Sequence, residues 1–257
     1  MKLDRVIAVR TKKTIYRDGD RCVKVFNVPY SKSAIYNEAH NHVRVEETGI
    51  KVPSVLEVTT FDGKWAIVTE YIPGKTLEQL INEQPENKAE YYRILAELQN
   101  DIHKKECPYL YRLKDELNHK ISISELDATT RFDLYDRLEN MEKGMSVCHG
   151  DFCPSNVILS ENGGYYVIDW TLASYGNPLA DTAQTYILLC LNNGAEDAEL
   201  YLDLYCGESK RTRESVYAWL PIIGAAMSVR RPLRERTVLL DCVKNGNFKE
   251  RIKNFKN

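Results

Sequence analysis

Three polar residues between positions 148 and 170 have the types and spacing expected for metal-assisted chemistry. Asp151 lies in a His-Gly-Asp turn five residues before Asn156, and Asp169 follows Asn156 after thirteen residues. The intervening segment contains Glu161-Asn162-Gly163-Gly164. Asn-Gly is a strong signal for a two-residue hairpin turn, because both central residues must tolerate positive φ. The sequence therefore predicts a β-hairpin with polar side chains at its open end.

The register of this hairpin decides which side chains meet. A turn centred on Asn162-Gly163 pairs residues whose numbers sum to 325, so Asn156 lies directly opposite Asp169. Cross-strand partners are about 5 Å apart at Cβ, and an amide oxygen beside a carboxylate suits a hard cation such as Mg²⁺. Asn156 and Asp169 are thus predicted metal ligands, with Asp151 as a neighbouring base. The alternative is an ordinary hairpin with polar ends.

The amino-terminal part of the chain is typical of a small antiparallel sheet with one helix. The helix is expected from Ser31 to Thr48, with Gly49 ending it. Alternation of apolar residues and turn signals predict strands at 5–9, 14–17, 21–26, 55–58 and 65–70.

Lys24 and Glu38 each carry a charge where the pattern predicts apolar surroundings. Lys24 is in the middle of an apolar strand, where an ammonium group needs an anion. Glu38 shares one helix face with Ile35 and Val45, where a carboxylate needs a cation. We expect the two to pair. A Lys24 that reaches water from an edge strand and a solvated Glu38 are the alternatives.

The remainder of the chain is predicted to be mainly helical. Apolar residues at helical spacing indicate helices at 77–82, 88–105, 123–143 and 182–191, and 146–149 is expected to be a short strand. Pro73-Gly74 and Gly176-Asn177-Pro178 are turn signals.

The spacing Asp-x₄-Asn, followed thirteen residues later by Asp, resembles the catalytic loop of kinase-like phosphotransferases. His-Gly-Asp and Ile-Asp-Trp resemble the branch that contains aminoglycoside phosphotransferases, choline kinases and other small-molecule kinases. The resemblance implies a bilobal α+β fold of the protein-kinase-like type. A nucleotide-binding lobe with the sheet and one helix would span 1–72, and a mainly helical lobe for catalysis and substrate binding would span 73–257.

The resemblance also implies roles for the residues around this loop. Asp151 would be the catalytic base toward a substrate hydroxyl, Asn156 and Asp169 would hold Mg²⁺, and His149 would brace the loop. Asp181 would fasten the backbone of the catalytic loop. From the residues alone, Asp181 is equally a first-turn acid stabilised by the helix dipole.

Nucleotide contacts are implied in the amino-terminal lobe. Lys24, oriented by Glu38, would hold the α- and β-phosphates of ATP or GTP. The carbonyl of Glu70 and the amide of Ile72, at the hinge between the lobes, would bind the adenine.

The sequence departs from the kinase pattern in the first hairpin, which has no glycine. Backbone amides of Thr11 to Lys13 remain candidates for phosphate binding, and the side chain of Lys12 or Lys13 could add charge. A solvated basic turn is the alternative.

Only twelve positions separate Asp169 from Asp181, which leaves no room for the activation segment of a protein kinase. A small molecule with a hydroxyl group is therefore the expected acceptor, and the leading expectation is an ATP- and Mg²⁺-dependent phosphotransferase similar to aminoglycoside phosphotransferases. A choline, ethanolamine or sugar kinase and a catalytically inactive kinase-like binding protein are alternatives. A protein kinase is disfavoured.

Other substrate clues are ambiguous. The acidic stretch 196–208 would attract a polycation or be a solvated helix side. Tyr201, Tyr205, Tyr217 and Trp219 would form an aromatic cage or belong to the core. The basic stretch 230–257 would favour an anionic substrate or be a solvated terminal helix.

Composition gives broader expectations. The 257 residues are 43% hydrophobic and 28% charged, as in an ordinary globular protein, and the net charge of −2 indicates no general attraction to nucleic acid or membranes. Neither a signal peptide nor a transmembrane stretch is recognisable, and the seven cysteines show no Cys-x-x-Cys pair. We therefore expect a cytoplasmic protein with reduced thiols. The oligomeric state is not indicated.

Overall fold

The computed structural model describes residues 5–10, 12–27 and 30–255. The chain forms two compact units. The first unit comprises Met1–Leu80 and Ser155–Ala173, and the second comprises Ile81–Pro154 and Ser174–Asn257. Residues 155–173 thus belong to the first unit, although a lobe boundary near residue 73 would assign them to the second.

Within the described residues, short strands form three sheets, of five, three and three strands. In chain order the strands are β1 (Arg5–Val9), β2 (Lys13–Asp18), β3 (Arg21–Phe26), β4 (Val55–Phe61), β5 (Lys64–Glu70), β6 (Gly74–Thr76), β7 (Tyr111–Arg112), β8 (Ser146–Cys148), β9 (Val157–Ser160), β10 (Tyr165–Val167) and β11 (Ser174–Gly176). The orders are β1-β2-β3-β5-β4 and β10-β9-β6 in the first unit, and β7-β11-β8 in the second.

Most of the helices belong to the second unit. In chain order they are α1 (Lys32–Glu46), α2 (Leu77–Glu83), α3 (Lys88–His103), α4 (Leu113–Ser122), α5 (Ala128–Asn140), α6 (Pro178–Asn192), α7 (Ala195–Ser209), α8 (Arg213–Tyr217), α9 (Leu220–Ser228), α10 (Leu233–Lys244) and α11 (Phe248–Lys253).

The predicted sheet and helix of the amino-terminal part are present. Ser31 caps α1, because its hydroxyl accepts from the amide of Ala34 at 3.2 Å, and Gly49 takes a φ of +78° just beyond the helix. One face of β3 buries Val23 and Val25. The opposite face packs Phe26 against α1 and β5. These two apolar layers hold β3 and α1 in fixed positions, which is what the pair Lys24 and Glu38 requires.

The helix predicted at 123–143 is wrong in its bounds. Residues 113–122 form α4, whose buried Leu113, Leu117 and Ile121 recur every four residues. The chain then leaves the helix, and α5 begins after Asp127, whose carboxylate accepts from the amide of Thr130 at 2.9 Å. The N-cap at Asp127 therefore starts the helix five residues later than predicted, and the helix ends at Asn140, three residues earlier than predicted.

The helix that contains Asp181 begins earlier than predicted. Asn177 is its N-cap and accepts from the amide of Leu179 at 2.8 Å, and Pro178 occupies the first helical position. Asp181 therefore lies in the first turn of α6. Five cysteines are free thiols, namely Cys22, Cys148, Cys190, Cys206 and Cys242. None of the described helices has the length and apolar character needed to cross a membrane.

Candidate active site

A cavity of about 700 Å³ lies within the first unit, between its sheets and α1. Seven of the residues that the sequence assigned to nucleotide or metal binding line this cavity, and Lys12 does not. The seven are Lys13, Lys24, Glu38, Glu70, Ile72, Asn156 and Asp169. Residues more than 140 positions apart in the chain thus contact each other in the same cavity, as a shared site requires.

Lys24 and Glu38 form the predicted ion pair. The Lys24 Nζ atom lies 2.7 Å from Glu38 Oε1, and the Glu38 side chain is almost fully buried. Burial by itself lowers the pKa of Lys24, but the charges of Asp169 and Glu38 outweigh burial and raise that pKa above its ordinary value. Lys24 is therefore a fixed cation inside the cavity.

Asp169 accepts hydrogen bonds on both carboxylate oxygens. Oδ2 accepts from Lys13 Nζ at 2.9 Å, and Oδ1 accepts from the Thr171 hydroxyl at 2.7 Å and from Lys24 Nζ at 3.4 Å. Burial raises the pKa of Asp169, but the charges of Lys24 and Lys13 outweigh it and hold that pKa well below the ordinary value. Asp169 is consequently a carboxylate across the ordinary pH range.

The predicted register of the hairpin is wrong by one residue. Val157 pairs with Val167, so the partners sum to 324 and the amide of Ile168 donates to the carbonyl of Asn156 at 2.9 Å. The turn is the cause. The amide of Gly163 donates to the carbonyl of Ser160 at 2.9 Å and Gly163 has a φ of +81°, which matches a three-residue loop.

Asp169 reaches the cavity through its backbone conformation. It follows β10 in the left-handed region, with φ 65° and ψ 59°. Aspartate is one of the few non-glycine residues that occupy this region with some frequency. Asn156 and Asp169 therefore line one cavity although they are not directly opposite each other in the ribbon.

The residues predicted to form the hinge lie at and just after the end of β5, inside the first unit. The amide of Glu70 donates to the carbonyl of Ser54 at 2.9 Å, and the amide of Tyr71 donates to the carbonyl of Asp20 at 2.9 Å. These bonds fasten the strand end, and Glu70 and Ile72 both face the cavity. Of the residues proposed for the basic turn, Thr11 lies outside the described residues, and the side chain of Lys13 contacts Asp169.

Asp151 belongs to the second unit, in the loop that follows β8. The amide of Asp151 donates to Nδ1 of the fully buried His149 at 3.1 Å, and the His149 ring packs edge-on against Phe152. Gly150 has a φ of +77°, a conformation that glycine adopts without strain. His149 therefore braces the loop, as expected.

Asp181 fastens the same loop. Its Oδ1 accepts from the amide of Gly150 at 2.7 Å, and its Oδ2 accepts from the amide of His149 at 3.1 Å. The carboxylate is buried in the first turn of α6, so it also lies at the favourable end of the helix dipole. Both interpretations of Asp181, the first-turn acid and the loop anchor, therefore apply.

Sequence reasoning missed the side chains that support Asp181 from α3. Gln99 Nε2 and His103 Nε2 each donate to Asp181 Oδ2 at 3.0 Å. The Tyr205 hydroxyl and His103 Nδ1 share a hydrogen bond at 2.8 Å, and the Tyr201 hydroxyl donates to Gln99. Two polar residues four positions apart on the buried face of α3 were the available signal, because buried polar groups need partners.

The aromatic residues that might have formed a cage belong mainly to the core. Tyr201 and Tyr205 are almost fully buried in the network around Asp181, and Trp219 is 4% exposed. Tyr217 packs edge-on against Tyr186. Lys249 Nζ lies 4.6 Å from the centre of the Tyr217 ring. The cation over this ring is therefore supplied by the protein itself.

The acidic stretch 196–208 is largely neutralised inside the second unit. Asp197 accepts from Lys88 at 2.6 Å, and Glu199 forms ion pairs with Arg213 and Lys253, both at 2.8 Å. This stretch is therefore bonded to the protein and gives no specific sign of a polycation site.

Several basic side chains of 230–257 have carboxylate partners in the same unit. The pairs are Arg231 with Glu235, Arg236 with Glu125, Arg251 with Asp241, and Lys253 with Glu199. The basic stretch therefore serves internal packing to a large extent.

Comparison with known proteins gives one family match. The model of a family described as the phosphotransferase enzyme family matches residues 5–219. An aminoglycoside 3′-phosphotransferase of Streptomyces ribosidificus is 32% identical over 129 residues, which are 43% of this chain and 48% of that protein. The chain thus spans about half the length of the curated relative that it matches.

Solved structures share the fold at low sequence identity. A choline kinase, LicA from Streptococcus pneumoniae, superposes with a TM-score of 0.64 at 17% identity, over 96% of this chain and 92% of that one. A thermostable mutant of an aminoglycoside phosphotransferase, in a ternary complex with ADP and hygromycin B, superposes with a TM-score of 0.63 at 15% identity, over 99% and 92%. These likenesses establish the fold.

Proposed function

Because the chain belongs to the phosphotransferase enzyme family and has the α+β protein-kinase-like fold, we propose that it transfers the γ-phosphate of ATP to a hydroxyl of a small molecule, with Mg²⁺ as cofactor. One observation carries this proposal. Seven residues expected to bind nucleotide and metal, identified from separate parts of the sequence, line a single cavity. A cavity of about 700 Å³ is within the usual range for small-molecule and cofactor sites.

The donor set fits Mg²⁺. Asp169 offers carboxylate oxygens and Asn156 offers an amide oxygen on the wall of one cavity. Magnesium sites in phosphotransferases commonly use one or two such groups and complete their coordination with phosphate and water oxygens. Asn156 and Asp169 would hold Mg²⁺, which would supply neutralisation of the negative charge on the phosphates during transfer.

The remaining cavity residues would position the nucleotide. Lys24, held by Glu38 at 2.7 Å, presents a fixed cation to the α- and β-phosphates. The carbonyl of Glu70 and the amide of Ile72 would bind the base at the fastened end of β5. Positioning of this kind supplies most of the acceleration in phosphoryl transfer.

Asp151 would orient the acceptor hydroxyl and accept its proton late in the transfer. The loop that carries Asp151 is held by the buried His149 ring and by the carboxylate of Asp181. A base held by such a network retains its orientation when substrate arrives.

We infer that the acceptor is a small alcohol rather than a protein, and the first class to test is the aminoglycosides. The curated relative is an aminoglycoside 3′-phosphotransferase. Choline, ethanolamine and sugars are the next classes, because the structural relatives include a choline kinase.

A screen for ADP release tests the proposal. The purified full chain is incubated with ATP or GTP and Mg²⁺, with aminoglycosides, choline, ethanolamine, sugars or nucleosides as acceptors. We expect release that depends on one acceptor class. Asp151→Asn should abolish transfer and retain nucleotide binding, whereas Asp133→Asn, an exposed aspartate of α5 in the same unit, should behave as wild type.

Two outcomes would contradict the proposal. Nucleotide binding without ADP release for any acceptor would indicate an inactive kinase-like binding protein. Label from γ-labelled ATP that enters proteins of a lysate, and no small molecule, would indicate a protein kinase.

A further inference from the structure

Lys13 contacts the carboxylate that we expect to hold the metal ion. Lys13 Nζ lies 2.9 Å from Oδ2 and 3.2 Å from Oδ1 of Asp169. Thr171 and Lys24 contact Oδ1, whereas the shorter bond from Lys13 is to Oδ2. A metal ion held by Asp169 would therefore compete with the ammonium of Lys13 for this carboxylate.

The charges around Asp169 are balanced as they stand. Lys13 and Lys24 carry two positive charges, and Glu38 and Asp169 carry two negative charges. A divalent cation that enters alone would add two positive charges beside two lysines, which is unfavourable in a partly buried site. A metal ion that enters with a triphosphate brings its own counter-charge, and the phosphates offer a new partner to a displaced lysine.

Lys13 is suited to move, and Lys24 is not. Lys24 is held by Glu38 at 2.7 Å between two apolar layers. Lys13 is the first residue of β2, next to the turn of the first hairpin, and Asp169 is the carboxylate it contacts. The side chains of both lysines are about equally exposed, at 19% and 20%, so the difference lies in the Glu38 partner of Lys24. Rotation about the side-chain bonds of Lys13 can carry the ammonium group from Asp169 toward the cavity.

We propose that Lys13 is an exchangeable counter-ion of Asp169: it neutralises the carboxylate until the metal–nucleotide complex binds, and then transfers its hydrogen bonds to phosphate oxygens. The proposal rests on the proposed phosphotransferase function. It makes Lys13 a positioning residue that opposes binding of free metal. Metal and nucleotide consequently bind cooperatively, and the coupling is the same in both directions.

The test measures metal and nucleotide binding separately in Lys13→Met. Mn²⁺ binding to the full chain is followed by electron paramagnetic resonance, with and without a non-hydrolysable ATP analogue. Without nucleotide, Lys13→Met should bind Mn²⁺ about tenfold more tightly, because loss of one neighbouring charge commonly changes cation affinity at a carboxylate by that factor or more. The analogue, in EDTA, should bind about tenfold more weakly, because Lys13 can no longer meet its phosphates.

Control variants isolate the charge at this position. Lys13→Arg retains the cation and should restore both affinities toward wild type. Lys64→Met makes the same change at an exposed lysine of β5 in the same unit and should alter neither. If Lys13→Met does not fold, as judged by circular dichroism and thermal melting, Lys13→Gln is measured instead.

The outcomes separate this proposal from the function on which it rests. Wild-type binding of Mn²⁺ with the analogue, together with unchanged Mn²⁺ affinity in Lys13→Met, overturns the exchange and leaves the phosphotransferase proposal standing. A wild-type chain that binds neither the analogue nor Mn²⁺ overturns both.

Discussion

The carboxylate of Asp181 accepts a hydrogen bond from the backbone amide of Gly150 at 2.7 Å. This bond joins the first turn of α6 to the loop that precedes the proposed catalytic base. In Asp181→Asn, an amide replaces one of the two accepting oxygens, so we expect the loop to lose its fixed geometry. Turnover should fall by about 10²-fold, since small misplacement of a catalytic group costs about that much. Steady-state kinetics should show the loss in kcat, with the KM for nucleotide little changed.

Asp181 should also make the stability of the protein depend on pH. Burial raises the pKa of Asp181, but hydrogen bonding to His103, the charge of His103 and the bond from Gly150 outweigh it and bring the pKa to about 2. The pKa of Asp181 is lower in the folded than in the unfolded protein. Its contribution to the free energy of unfolding is therefore complete above about pH 4 and is lost as pH falls toward 2. It amounts to about 2 kcal/mol.

Urea unfolding of wild type and Asp181→Asn at several pH values checks this linkage. The stability difference between the two proteins should narrow by about 2 kcal/mol from pH 5 toward pH 2. A difference that stays constant over this range would contradict the assignment.

Glu38→Gln tests the ion pair that fixes Lys24. The neutral amide no longer anchors the ammonium, which keeps only its longer contact of 3.4 Å to Asp169. We expect the KM for ATP to rise about tenfold, in line with the loss of a charged hydrogen bond worth roughly 1.5–3 kcal/mol. The matched control is Glu47→Gln, an exposed glutamate directly after the same helix. Equal nucleotide affinity in wild type and Glu38→Gln would exclude the proposed orienting role.

Tyr205→Phe tests the support behind Asp181. The change removes only the hydroxyl that is hydrogen-bonded to His103 at 2.8 Å, in a buried setting. The imidazole nitrogen loses this partner, so the free energy of unfolding should fall by about 1–2 kcal/mol. Tyr109→Phe, at a side chain that is 75% exposed, should change stability by much less. Similar unfolding midpoints for all three proteins would show that the hydrogen bond contributes nothing.

Two glycine-to-alanine substitutions should change the free energy of unfolding in opposite directions. A Cβ atom at Gly163 or Gly207 would meet no neighbouring atom within 4 Å, so only backbone conformation differs. Gly163 has a φ of +81°, and alanine there should destabilise the chain by about 1 kcal/mol. Gly207 lies inside α7, and alanine there should stabilise it by roughly 0.5–1 kcal/mol. Thermal unfolding measures both; destabilisation by the second change would contradict the argument.

The sequence predicted the family and the fold because both depend on local patterns. Asp151, Asn156 and Asp169 stand at characteristic spacings, and the family match confirms that interpretation of the chain. The pair Lys24 and Glu38 was predictable for a physical reason. Each charge was expected among apolar residues, and each could neutralise the other. The roles of all these residues in catalysis and binding remain predictions.

The remaining features depend on information that local patterns do not contain. The hairpin register depended on whether Asn162 or Gly164 joined Gly163 in positive φ, and the folded structure places Gly163 and Gly164 there. His103 and Asp181 meet across 78 positions, so only tertiary packing brings them together. Lys13 and Asp169 are 156 positions apart, so a local sequence pattern likewise cannot predict their contact.

The first unit is assembled from two stretches that are separated in the chain by 74 residues of the second. A truncated protein that ended at Leu80 would keep Lys24 and Glu38 but would lack Asn156 and Asp169. Expression of the amino-terminal stretch alone would therefore yield only part of the cavity wall. A shortened version of this protein would have to include residues 155–173, either as a second peptide or joined to the first stretch by circular permutation.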